Sequence, residues 1–135
     1  MSGTYVRVRV GAETYALPIE HVVEVSELGN VTSVPGALGP AVGVRNLRGE
    51  VLPVFDLAAV LGLTTDGPPT RLLVAEDGAQ RAGLAIADVM DVGPLPEGIQ
   101  DSDSDLLTGS TLDDGTLIGV VDVPRLFDAL SREAA

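Results

Sequence analysis

The chain has 135 residues, 45% hydrophobic and 21% charged, a length and composition that suit one folded domain burying about two-thirds of its unfolded surface. It contains no Cys, no Lys, no Trp and a single His, His21, which removes disulfides, thiolate nucleophiles, Schiff-base lysines, phosphate-loop lysines and His-rich zinc sites. The net charge of −12 is uneven, with 4 Arg against 7 acids in residues 1–66 and 4 against 13 in residues 67–135. A field of that sign repels phosphate backbones and anionic lipid, so neither nucleic acid nor a membrane surface is an expected partner. No apolar run approaches the ~20 residues of a membrane helix, and no signal-peptide core precedes Tyr5, so a cytoplasmic protein without membrane insertion is expected.

Tyr5-Val6-Arg7-Val8-Arg9-Val10 alternates valine with arginine at the period of a half-buried strand. Gly11-Ala12-Glu13 reads as a turn, residues 14–17 as a second strand, Pro18 as the opening of a brief helix and residues 22–25 as a third strand. Residues 34–43 hold three Gly and two Pro and read as a loop. Residues 44–55 read as a hairpin turning at Arg48-Gly49, after which Asp56 caps a short helix over 57–61 closed by Gly62.

This programme repeats. Shifted by 67, Leu17, Ile19, Val22, Val23, Glu24 and Val25 fall on Leu84, Ile86, Val89, Met90, Asp91 and Val92. Shifted by 66, Gly49, Val51, Leu52, Val54, Phe55 and Asp56 fall on Gly115, Leu117, Ile118, Val120, Val121 and Asp122. A turn Gly and a capping Asp repeated in one apolar pattern imply two similar subdomains, residues 4–66 and 67–130, within one domain. Short strands with no 10–15-residue helix for crossovers argue for an all-β fold with short helices, two small barrels packed together with a groove between them.

Candidate chemistry is sparse. Asp101-Ser102-Asp103-Ser104-Asp105 starts like a calcium loop but has Leu106 and Leu112 where Gly and Glu are required, so it reads as a solvated acidic loop. Paired acids such as Asp113-Asp114, and the lone His21, have no nucleophile or oxyanion signature beside them. No catalytic residue, metal site or cofactor is expected. Arg48 stands apart: beside a turn Gly, with Asn46 two residues earlier, it presents a planar multi-donor group to a carboxylate of this chain or to a partner protein.

The run from Gly43 to Leu57, with Asn46-Leu47-Arg48-Gly49-Glu50-Val51-Leu52-Pro53-Val54-Phe55-Asp56 at its centre, resembles the signature of the CheW family, the coupling scaffolds of bacterial chemotaxis. Tyr15 to Val25, Arg81-Ala82-Gly83-Leu84-Ala85-Ile86, Leu107-Thr108-Gly109 and Val120-Val121-Asp122 fit the same family, so the resemblance covers residues 4–130. It implies two SH3-like five-stranded β-barrels and a non-enzymatic adaptor in a two-component system. Such an adaptor joins the cytoplasmic tip of methyl-accepting chemoreceptors to a CheA-type histidine kinase, and is recruited to membrane-associated receptor arrays. The resemblance further implies that Val22, Glu24, Asn46, Arg48 and Val92 contact partners, with Glu24 and Arg48 paired. Gly49, Asp56, Gly83, Gly115 and Asp122 are expected as turn and cap positions. Arg71 stands where the resemblance would place an apolar, partner-facing residue. The same scaffold in a twitching or developmental pathway, and a stand-alone small-ligand barrel, are the alternative readings.

Overall fold

Alternation in the first strand decides which side of the chain is buried. In the computed structural model, which describes residues 3–34, 40–64 and 67–134, Val6, Val8 and Val10 of β1 (Tyr5–Val10) lie in the core while Arg7 and Arg9 face the other way. Nine further strands follow: β2 (Glu13–Pro18), β3 (Val22–Glu27), β4 (Ala41–Leu47), β5 (Glu50–Asp56), β6 (Arg71–Asp77), β7 (Gln80–Ile86), β8 (Asp88–Gly93), β9 (Leu107–Asp113) and β10 (Thr116–Val121). A 3-10 turn, Ile19–His21, separates β2 from β3, and helices α1 (Leu57–Val60) and α2 (Val123–Ala134) follow β5 and β10.

The strands form two five-stranded sheets, ordered β8-β1-β2-β10-β9 and β3-β6-β7-β5-β4. Repeating β1 to β5 as β6 to β10 converts one order into the other, so the internal repeat is a repeat of topology. Equivalent parallel pairs even keep register, with Val54 opposite Gly83 in one sheet and Val120 opposite Ala16 in the other. The subdomain bounds expected at residue 66 do not coincide with the sheets. One sheet draws on both ends of the chain (the terminal barrel) and the other on residues 22–86 (the middle barrel). The cause is local: the three-residue 3-10 turn after β2 and the single residue Ala87 after β7 carry the chain into the opposite sheet, so each half lends its last three strands to the other.

Each sheet closes on itself through side chains. In the middle sheet β3 and β4 are four strand spacings apart along the sheet, about 19 Å, yet Arg45 of β4 donates to the Glu27 carbonyl of β3 at 2.8 Å. In the terminal sheet β1 and β9 are three spacings apart, about 14 Å, yet Arg7 reaches Asp113 at 2.6 Å.

The largest core lies between the barrels and takes Val6, Val8, Tyr15 and Leu17 from one sheet, Phe55, Leu73, Leu84 and Ile86 from the other, and both helices. Smaller cores fill the barrels, around Leu52, Leu72 and Val74 in the middle one and Ala16, Ile118 and Val120 in the terminal one. The 12-residue α2 is longer than the sequence reading allowed. Its signal is the 3.6-residue spacing of Val123, Leu126, Phe127 and Leu130, all buried, behind the Asp122 cap.

Turn and cap positions divide. Arg48-Gly49 and Asp114-Gly115 make matching two-residue hairpin loops with φ of 49° and 86° in one and 49° and 81° in the other. Asp56 accepts from the Ala58 amide at 3.0 Å and Asp122 from the Arg125 amide at 3.1 Å, as N-caps do. Gly83, expected at a turn or cap, instead lies within β7, where a Cβ would come 2.6 Å from Leu72 Cδ1. The glycine is there for close packing and not for a turn. Residues 41–43, expected in the loop, belong to β4, while the expected loop at 35–39 lies outside the described residues.

Candidate partner-binding surface

Arg48 occupies the left-handed region, which costs a side chain other than Gly, Asn or Asp roughly 1–2 kcal/mol. Two contacts hold it there. The Asn46 side-chain oxygen accepts from the Gly49 amide at 3.0 Å and locks the turn, and the Arg48 guanidinium donates to the Glu24 carboxylate of β3. The ion pair therefore bridges the two edges of the middle sheet just as Arg45 does. Arg48 keeps 70% of its side chain exposed against 23% for Glu24, so the pair contributes only about 0–1 kcal/mol to folding. Most of the donor fork faces outward.

The surroundings mix charge with exposed valines: Glu50, next in the hairpin after Gly49, pairs with Arg81 at 3.2 Å. Val51, directly across the hairpin from Asn46, is 63% exposed, and Val23 and Val25 flank Glu24 on β3 with their side chains open to solvent. Exposed valines beside an arginine fixed by a turn have the composition of an interface centre, where aromatic, aliphatic and Arg anchors dominate. Sequence reasoning missed these three valines. Their signal was alternation along β3, which puts Val23 and Val25 opposite the half-buried side of the strand. Val22 is half-buried against the main core, so its expected contact role is shared with packing.

Val92 is not part of this surface. It lies on β8 of the terminal barrel, 55% exposed, next to Met90 and near the Leu112–Leu117 cross-strand pair, all of them open. The structure thus brings Glu24, Asn46 and Arg48 together and leaves Val92 on the other barrel. Arg71 forms a loose pair with Asp88 at 3.7 Å. The two also line a cleft of about 520 Å³ between the sheets, with Arg9, Pro68 and Thr70 among the walls and without any of the five expected partner residues.

One titration stands out. Burial, then the hydrogen bond and charge of Glu13, push the Tyr15 phenol well above its ordinary value of 10.0, and its hydroxyl donates to Glu13 at 2.7 Å. Tyr15 belongs to the core shared by the two barrels.

The family model for the CheW-like domain matches residues 4–131. The chain belongs to the CheW family. The chemotaxis protein CheW of Rhizobium meliloti (strain 1021) is 31% identical over 137 residues, which cover 94% of this chain and 88% of that protein. Protein FrzA of Myxococcus xanthus is 39% identical over 90 residues, 65% of this chain and 56% of its own. The crystal structure of the scaffolding protein TtCheW from Thermoanaerobacter tengcongensis matches with a TM-score of 0.85 at 29% identity, covering 94% of this chain and 88% of that one. Like other CheW-family scaffolds, the protein is not an enzyme. Among the described residues no helix is long and apolar enough to cross a membrane.

Proposed function

We propose that this CheW-family chain is the adaptor of a chemosensory array, holding the cytoplasmic tip of methyl-accepting receptors and a CheA-type histidine kinase in one complex at the membrane-associated array. The observation that carries the reading is the Arg48 turn. The equivalent hairpin of the terminal barrel places Asp114 at the same φ of 49°, a residue that tolerates this conformation with less strain. Placing Arg there costs stability that an ion pair with one partner 70% exposed does not recover. A guanidinium held in this strained, open position is explained by what it contacts outside the chain. Glu24 orients it, Asn46 fixes the loop beneath it, and Val23, Val25 and Val51 supply the apolar ground around it. Val92 marks a separate contact on the terminal barrel, so one chain offers a face to each of two partners.

The test is a pull-down from native cytoplasm and solubilised membranes with wild type beside Arg48→Ala, both checked for folding by circular dichroism. Recovery of a histidine kinase and receptors by wild type, weakened in a folded Arg48→Ala, supports the adaptor and its site. A folded wild type that recovers neither refutes it, and saturable metabolite binding would then become the reading to pursue.

A further inference from the structure

Acids outnumber arginines in this chain by 20 to 8, yet the two arginines that line the cleft between the barrels are poorly matched. Among the described residues Arg9 meets no carboxylate and donates only to the Gly11 carbonyl at 3.4 Å. Arg71 approaches Asp88 at 3.7 Å, beyond hydrogen-bond distance, and 45% of its side chain stays exposed. The acids of the cleft are engaged elsewhere: Asp88 accepts from the Val89 amide at 2.8 Å and Asp56 from the Ala58 amide at 3.0 Å.

The backbone around the two arginines is pinned. Ala87, the single residue between β7 and β8, donates its amide to the Arg9 carbonyl at 3.0 Å and accepts from the Thr70 hydroxyl at 2.7 Å. The Thr70 amide donates in turn to the Ile86 carbonyl at 3.0 Å. These bonds hold the end of β1 beside the start of β6, so Arg9 of the terminal barrel and Arg71 of the middle barrel open onto one cleft of about 520 Å³. Arg9 also faces Asp88 across the ladder, so one aspartate neighbours both arginines.

The repeat supplies an internal control. A shift of 67 residues puts Glu76 in the place of Arg9, Thr4 in that of Arg71 and His21 in that of Asp88. Glu76 pairs with Arg81 of the neighbouring strand at 3.5 Å, and the His21 ring bonds the Glu76 carbonyl at 2.9 Å. The same fold is therefore built there with an acid and a hydroxyl, and the two cations of the cleft are not a requirement of the strands they stand on.

We infer that this cleft binds a short aliphatic dicarboxylate, one carboxylate on Arg9 and the other on Arg71. A guanidinium presents a planar fork of donors that matches a carboxylate, and two of them on one cleft select a ligand with two. Val10, Ala85 and Ile86 give the cleft a buried apolar lining for the carbon chain that joins them. No aromatic side chain lines it, so a nucleotide base has nothing to stack on. Arg71 gives up no hydrogen bond when it leaves Asp88 for the ligand. A net charge of −12 repels free anions from the rest of the surface, so occupancy depends on these two donors. With one arginine on each barrel, the bound dicarboxylate ties the barrels together, whatever partners the adaptor surface holds.

Calorimetry with succinate, acetate and inorganic phosphate tests the site on wild type, Arg9→Gln, Arg71→Gln, Asp88→Asn and Arg132→Gln, each checked for an unchanged melting temperature without ligand. Succinate should saturate wild type below about 10 mM and bind at least about tenfold more tightly than acetate or phosphate. Each of Arg9→Gln and Arg71→Gln should weaken it by about tenfold or more, whereas Arg132→Gln on the exposed end of α2 should not. Asp88→Asn should tighten it, since the competing carboxylate beside both arginines is gone. Amide shifts on titration should centre on residues 9–11, 68–71 and 86–88. No saturation, acetate or phosphate binding as well as succinate, or equal loss in Arg132→Gln would overturn the inference. A tetraglutamate peptide that binds through Arg9 and Arg71 where succinate does not would assign the arginines to the carboxylates of a protein and overturn the small-molecule site.

Discussion

Gly43 and Gly109 occupy equivalent places in the two barrels, each where an incoming segment crosses a strand. At Gly43 an added Cβ would lie 2.1 Å from the Thr32 carbonyl oxygen and 2.8 Å from its carbon. Ordinary contact needs about 3.5 Å, and no side-chain rotation relieves a clash with backbone. For Gly43→Ala to fold, the segment at Thr32 must move and strain or lose its two bridging hydrogen bonds to Val44, now 2.8 and 2.9 Å. Two weakened hydrogen bonds at about 0.5–1.5 kcal/mol each, with overpacking of about 1–3 kcal/mol, less about 0.4–1 kcal/mol for the stiffer unfolded chain, leave about 1–6 kcal/mol of destabilisation, centred on about 3 kcal/mol. At about 3–4 °C per kcal/mol for a chain of this size, the central value lowers thermal melting by about 10 °C. Gly109→Ala, whose Cβ would meet the Gln100 carbonyl oxygen at 2.3 Å, should behave alike. Gly49→Ala has nothing within 4 Å but sits at φ +86°, and should lose only about 1 kcal/mol. Melting temperatures for Gly43→Ala and Gly109→Ala within 2 °C of wild type, or below the effect of Gly49→Ala, would refute the crossing geometry.

Leu126→Ala removes a fully buried side chain from the core that both sheets share, and calorimetry should show about 2–5 kcal/mol lost in a single transition; two separated transitions would mean the barrels unfold independently. Asp122→Ala removes the cap of α2 and should cost about 1 kcal/mol in urea unfolding, with no change in partner affinity. The phenol of Tyr15 stays protonated in the folded chain above the pH at which an unfolded tyrosine ionises. The stability this gives is therefore complete below pH 10.0 and is lost as pH rises further. Ultraviolet titration should show Tyr15 ionising only well above pH 10.0 or with unfolding, and Tyr15→Phe should flatten the decline in stability at high pH.

The strands, the hairpin loops and the Asp caps were legible because each is a local matter of alternation, turn chemistry or one side-chain oxygen. The repeat was legible too, since Val22 to Val25 and Gly49 to Asp56 recur with hydrophobicity and turn residues together. The exchange of strands between sheets was not, because Pro18 to His21 and Ala87 carry no pattern that says which sheet receives the next strand. Gly83 looked like a turn for the same reason: only the Leu72 side chain arriving from β6 shows what it makes room for. At the site, Glu24 and Arg48 were paired through family resemblance, being 24 residues apart with no local rule to join them. Alternation placed Arg7 on the face opposite the buried valines, but its ion pairs with Asp91 and Asp113, more than 80 residues away in sequence, follow no local rule.

The most direct measurement is sedimentation of the purified chain with a receptor-tip fragment and a kinase regulatory domain, alone, pairwise and together. Receptor and kinase should enter one complex when the chain is present, and Arg48→Ala should lower this complex while keeping its own melting temperature within a few degrees of wild type. If the two partners displace each other from the chain, or if Arg48→Ala forms the complex as wild type does, the adaptor with Arg48 at its coupling surface is wrong.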